Sequence, residues 1–361
     1  MICETRLLDT FLDLVRIDSP SGEEQAMAEE LEARLVKLGL EVERDEVNNV
    51  VARLPGEGAP VMLAAHMDTV MPGRGVKPVV KDGAVYSDGT TILGADDKSG
   101  IAVILELLAT VAENNLRHPP LEVVITVQEE IGLLGARHLD KSSLRAKKGI
   151  SFDTGPAPGT IVVAAPSGIM LTAVVHGKAA HAGVEPEKGV NALSVAADAL
   201  VHMPLGRIDA ETTANFGQIQ GGRARNIVPD RVELKGEARS HDAEKLEAQT
   251  ARMVAALEKA AQEYGATVDT EVVPAYTGYK LTEEDPVVSG LASACRACGV
   301  EPNLVPSGGG SDANVFNAHG MRVVNLSTGM SGVHGTDEHI AVADMVDCAR
   351  IALRFVTTSE P

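Results

Sequence analysis

Apolar residues recur at helical spacing over residues 4–15 and again over 23–38, the second stretch preceded by Ser21-Gly22 and closed by Gly39. Each predicts a surface helix with one apolar face. Four short apolar runs lie further along, at 61–65, 121–127, 149–152 and 321–326, each bounded by turn residues. Rich in β-branched side chains and short, they predict strands buried on both faces of a mainly parallel sheet. Between the first two runs lies 100–111, apolar nearly all round, which predicts a buried crossover helix. Strand and helix alternate as in an α/β fold.

The pattern changes in the middle of the chain. Strand-like 169–175 is followed by a helix over 189–203, strands near 215–220 and 232–239, a helix over 243–264 and a strand over 267–273. The order βαββαβ suits an α+β sandwich of ferredoxin-like form, with helices on one face of an antiparallel sheet. Because α/β signals resume after about residue 276, this unit is expected to be inserted: a main domain made of 1–167 and 276–361, and an insert over 168–275.

A chain of 361 residues with 44% hydrophobic side chains can bury full cores in two domains. The 32 basic against 51 acidic residues give a formal charge of −19, which repels nucleic acid and anionic membrane. Neither is expected as a partner. No basic start leads into an apolar run and a small-residue cleavage site, and no run of about 20 apolar residues occurs, so the expected address is the cytoplasm. The cysteines Cys3, Cys295, Cys298 and Cys348 make no disulfide framework. Cys295 and Cys298 form a C-x-x-C, but inside a predicted helix over 286–298 and with no second pair to complete a zinc site, so ordinary helix packing is expected.

Chemistry-bearing residues collect where apolar runs end. The first run closes on His66 and Asp68, whose two-residue separation points both side chains the same way on an extended chain. His66 can ligate a metal through one ring nitrogen while Asp68 orients the ring. Asp96 and Asp97 precede the buried helix, where exposed amides favour negative charge; capping accounts for one aspartate more comfortably than for two. Glu129 and Glu130 follow the second run, and adjacent carboxylates at the edge of an apolar core are costly unless a cation or donors compensate. Asp153 ends the third run, and His334 lies in a loop after the fourth. In open α/β sheets the ligand crevice lies beyond the carboxyl ends of the strands, so the five clusters are expected to converge on one rim. Two histidines and three or more carboxylates without cysteine suit zinc, cobalt or manganese in a two-metal hydrolytic centre.

On these residues the sequence resembles the M20 co-catalytic zinc metallopeptidases, and within them the peptidase T (tripeptidase) branch, over almost the whole chain. The resemblance implies a zinc-peptidase-like catalytic domain with an inserted dimerisation and lid domain, two divalent ions per subunit and a homodimer. It implies that Asp96 bridges the ions, with His66 and Asp153 completing one site and Glu130 and His334 the other. It implies that Asp68 supports His66, that Glu129 is the general base acting on a metal-bridging water, and that the Asp96–Asp97 peptide is cis. In the insert, Gly177-Lys-Ala-Ala-His181-Ala-Gly183, Asn226-Ile-Val-Pro229 and Arg239 match the family's signals for holding substrate, with His181 able to reach a tetrahedral intermediate, often in the partner subunit. A guanidinium fork such as Arg239 fits a peptide carboxylate.

The loop Ser307-Gly308-Gly309-Gly310-Ser311 lets backbone approach a ligand, and Gly309 is a candidate substrate contact. It is no phosphate loop, lacking the lysine and following hydroxyl residue. Authentic tripeptidases carry arginine where Ser307 stands, which sets this chain apart from strict tripeptide specificity. Asp rather than Glu at Asp153 resembles aminopeptidases and tripeptidases. The expected activity is therefore hydrolysis of short peptides from a free amino terminus. The alternative is a deacylase, carboxypeptidase or amidohydrolase acting on an N-acyl amino acid or dipeptide. A metal- or peptide-binding relic without catalysis is disfavoured by Glu129, a base that a binding protein has no need of.

Overall fold

The computed structural model describes residues 1–358, which divide into two compact units. The first comprises 1–164, 280–307 and the described residues from 311 onward; the second comprises Ala165–Tyr279 and Gly308–Gly310. The chain thus passes between units a few residues outside 168–275, and the glycine loop after Ser307 groups with the second unit.

The first unit is built on a mixed sheet whose centre is parallel. Val61–His66 lies between Leu121–Thr126 and Lys148–Ser151, parallel to both, and Arg322–Leu326 is parallel to Lys148–Ser151. Every residue of Val61–His66 and Leu121–Thr126 is buried, as strands covered on both faces must be. Towards the edges the sheet turns antiparallel. Val50–Leu54 pairs with Leu121–Thr126 on one side and with Glu41–Arg44 on the other, and Arg322–Leu326 meets Thr160–Ala165. Glu41–Arg44, charged and mostly exposed, gives no apolar pattern, whereas Val50–Leu54 and Thr160–Ala165 are apolar runs beyond the four read from the sequence.

The buried helix runs over Ala95–Asn114, five residues earlier than the apolar pattern begins. Asp96 and Asp97 in its first turn depart from helical geometry. Helix Glu4–Val15 packs against it through Leu7, Phe11, Leu14 and Val15, all fully buried. Each such side chain contributes about 1.5–3 kcal/mol relative to leaving it exposed. Gly100 brings the helix close to the sheet: a Cβ there would stand 2.6 Å from Phe152 Cβ. Among the described residues, no helix is long and apolar enough to cross a membrane.

The second unit is an antiparallel sheet ordered Gly206–Arg207, Thr212–Gly221, Arg231–Ser240, Ser167–His176 and Thr267–Tyr276. Alternate residues Leu171, Ala173 and Val175 point into a core shared with helices Ala192–His202 and Ala243–Tyr264. The first of these helices starts at Ala192 rather than at Gly189, because the Asn191 side chain accepts from the amides of Leu193 and Ser194 and caps it. The helix carrying Cys295 runs over Pro286–Ala297; Cys295 is buried in its packing and no cysteine is in a disulfide.

Candidate metal centre and active site

Parallel pairing sets the ends of the central strands side by side, with His66 opposite Thr126 and Ala64 opposite Ser151. The residues that follow each strand therefore emerge on one rim. His66 is 2% exposed, and its Nδ1 stands 3.0 Å from the backbone oxygen of Asp68. That oxygen can only accept, so Nδ1 carries a hydrogen and Nε2 faces Asp96 Oδ1 at 3.1 Å. The other oxygen of Asp96 lies 3.4 Å from His334 Nε2, and His334 Nε2 lies 3.0 Å from Glu130 Oε1. The Asp96–Asp97 peptide is cis.

Potential ligand atoms of His66, Asp96 and Asp153 lie within 4.8 Å of one another, and so do those of Asp96, Glu130 and His334. Asp96 belongs to both groups. A third group, His66 with Glu129 and Glu130, has the same compactness, so proximity alone does not separate Glu129 from the residues around it. Asp68 is fully buried and supports the site from behind. Its Oδ1 accepts the amide of Glu129 (2.9 Å), and its Oδ2 accepts that of Glu130 (3.2 Å) and the hydroxyl of Ser21 (2.7 Å).

The electrostatics follow from burial and crowding of the acids. Burial, reinforced by neighbouring carboxylates, drives the carboxyls of Glu129 and Asp153 well above their ordinary range. Neither side chain accepts a hydrogen bond from any described residue. Burial also acts against ionised Asp96 and Asp68, but bonds from His334 and His66 to Asp96, and from His66 and Ser21 to Asp68, outweigh it and hold both low. His334 is pushed up to about 10 by its bonds to Asp96 and Glu130. Two imidazoles and at least three carboxylates without thiolate are the donors that borderline divalent cations prefer, so the residues fit a metal centre.

The four candidate substrate residues His181, Asn226, Arg239 and Gly309 all belong to the second unit. The Ala182 amide donates to the backbone oxygen of Asn226 at 3.0 Å, and His181 forms an isolated bridge with Ile227, which brings those two together. His181 Nδ1 accepts the Gly183 amide (3.2 Å). Arg239 Nη2 pairs with Glu237 at 2.9 Å on the same strand.

Two buried acids at the site carry no role in the sequence reading. Glu338 accepts three backbone amides from residues 93–96, and Asp312 accepts the Thr126 hydroxyl. Asp312 directly follows the glycine loop and Glu338 stands four residues after His334, yet their partners lie 186–245 residues away, so only a general suspicion of acids near candidate ligands could have singled them out.

An open α/β sheet thus gathers acids and histidines that fit divalent metal at one rim. The chain belongs to peptidase family M20/M25/M40, whose family model matches residues 62–358. Its structure is similar to that of a tripeptidase from Staphylococcus aureus, with 41% identity, a TM-score of 0.93 and coverage of 99% of this chain and 98% of that one. It is also similar to the aminopeptidase PepT of Bacillus cereus, with 43% identity, a TM-score of 0.88 and coverage of 99% and 98%. Peptidase T of Vibrio cholerae is 29% identical over 92% of this chain and 90% of that protein. The chain is an M20 peptidase of the peptidase T type, a hydrolase of peptide bonds.

Proposed function

We propose that the chain is a dinuclear metallopeptidase that cleaves short peptides from a free amino terminus. The observation that supports this reading is the convergence of His66, Asp96, Asp153, Glu129, Glu130 and His334 in three overlapping compact groups of potential ligand atoms, with His66 and Glu129 buried and His334 at the exposed edge. In this reading Asp96 would help hold both ions, with His66 and Asp153 holding one and Glu130 and His334 the other. Zinc is the expected metal, with cobalt or manganese as substitutes. Two such ions would polarise the scissile carbonyl, acidify the attacking water and offset the negative charge of the crowded carboxylates.

The chain's own groups supply positioning and proton transfer. The Asp68 backbone oxygen fixes the His66 ring, and the Asp68 carboxylate holds the backbone on which Glu129 and Glu130 stand. A Glu129 carboxylate oxygen takes a proton from the attacking water and delivers it to the departing amine nitrogen, a step worth about 10²–10⁴-fold. His181, Asn226, Arg239 and Gly309 are assigned to substrate. The exposed His181 is assigned to the tetrahedral intermediate, across a homodimer formed through the second unit. Free thiols on all four cysteines suit a reducing compartment such as the cytoplasm.

A free-amino-terminus substrate is supported by Asp153 and by the tripeptidase and aminopeptidase named among the similar structures. Ser307 argues against strict restriction to tripeptides. A panel of di-, tri- and tetrapeptides beside N-acyl amino acids, assayed with and without chelator, tests the reading. Chelator-sensitive cleavage of unblocked peptides is expected; turnover confined to N-acyl substrates would replace the peptidase with a deacylase.

A further inference from the structure

Glu338 is 1% exposed and lies at the end of the loop that carries His334. That loop is closed at its base by two backbone hydrogen bonds of 2.9 Å between Ser331 and His339. From this closed loop the Glu338 side chain crosses to the segment that carries Asp96. Its Oε2 accepts the amides of Leu93 (2.7 Å) and Gly94 (2.8 Å), and its Oε1 accepts that of Asp96 (3.0 Å). The segment has little geometry of its own to hold it: Gly94 is left-handed (φ 77°), and Asp96 and Asp97 depart from the helix they begin. Three charge-assisted bonds to one buried carboxylate therefore determine where the Asp96 backbone sits.

We propose that Glu338 is a positioning residue for the metal centre: one carboxylate locks the His334 loop to the Asp96 segment. It thereby sets the separation at which their side chains meet, 3.4 Å between His334 Nε2 and Asp96 Oδ2. The inference rests on the reading of Asp96 and His334 as metal ligands. Among the described residues Glu338 belongs to none of the compact groups of potential ligand atoms, and both its oxygens face backbone amides. Its effect passes through the spacing of two other side chains, and groups that orient ligands commonly change metal affinity by about 10–100-fold.

The test is Glu338→Gln, nearly isosteric but turning an amide nitrogen towards backbone donors, together with Glu338→Asp, which keeps the charge and withdraws it by one methylene. Loss of three buried bonds lowers stability in any account, so binding and kinetics are measured on the full chain at a temperature where each variant is fully folded. Metal-free protein is titrated with Zn²⁺ alone against a chromophoric chelator, and kcat and KM are then measured at saturating Zn²⁺. Folded Glu338→Gln should bind Zn²⁺ about tenfold or more weakly and lose kcat while KM stays within about twofold, with Glu338→Asp intermediate. Wild-type affinity and kcat in either folded variant would overturn the inference, as would failure of both variants to fold. A wild-type chain that takes up no Zn²⁺ would overturn the ligand reading itself, and this inference with it.

Discussion

Asp68 holds Glu129 in place: its Oδ1 accepts the backbone amide of Glu129 at 2.9 Å, and its Oδ2 accepts the next amide, that of Glu130, at 3.2 Å. The carboxylate two residues beyond His66 is thus bonded to the strand end that carries both glutamates. Asp68 supports two loops of the centre at once while its own oxygens are occupied by donors.

Asp96, in contrast, presents its oxygens to His66 on one side and His334 on the other. Asp96→Asn should therefore cost metal at both positions, whereas Asp68→Asn should keep most of the metal and lower turnover by about 10–100-fold. Metal content per subunit in the two purified variants decides the ranking; equal retention would contradict it.

Removal of metal should abolish hydrolysis, and zinc, cobalt or manganese should restore it, because the ions are assigned to polarise the carbonyl and acidify the water that Glu129 deprotonates. The assay follows peptide cleavage before chelation, after chelation and after each metal is returned. Undiminished cleavage by protein shown to be metal-free would end the account.

Gly100 tests the link between core packing and site. A methyl group there meets the Asp97 carboxylate and stands 2.6 Å from Phe152 Cβ. Asp97 in turn accepts the His66 amide at 3.2 Å. Gly100→Ala should cost about 1–3 kcal/mol of stability despite alanine's better helix propensity. Thermal denaturation reads this directly, and an unchanged or raised Tm would show that the helix can move away from the sheet at little cost.

His181 should matter to turnover and not to folding. It is exposed, and its ring accepts the nearby Gly183 amide. His181→Ala should lower kcat by an order of magnitude or more while changing stability by no more than about 0.5 kcal/mol. A variant that unfolds readily but is fully active in its folded fraction would make the histidine structural.

Much of this was legible in the sequence because the signals are local. Strands such as Val61–His66 are apolar throughout, and the acids and histidines follow them directly, so strand ends and rim could be read together. The helices of the second unit were legible by period, although the Asn191 cap puts the start of the first at Ala192 rather than at 189. What escaped depends on distant partners. Glu338 looks like any loop acid until its backbone donors, 242–245 residues away, are seen. Asp312 is likewise hidden by a partner on Thr126. Edge strands such as Glu41–Arg44, mostly exposed and highly charged, have no core to impose a pattern on them.

The central claim is that two adjacent glutamates divide the work, Glu130 beside His334 at the metal and Glu129 as base. Their geometry permits the division, since Glu130 Oε1 meets His334 Nε2 at 3.0 Å while the buried Glu129 carboxylate accepts no bond from any described residue. Glutamine keeps the shape and a carbonyl oxygen but cannot take the proton. The most direct measurement is metal stoichiometry alongside kcat for Glu129→Gln and Glu130→Gln. Glu129→Gln should keep near-normal metal and KM while kcat falls by about 10²–10⁴-fold, and Glu130→Gln should lose metal as well as activity. Metal loss confined to Glu129→Gln, or a Glu129→Gln enzyme that turns over normally, would contradict the account.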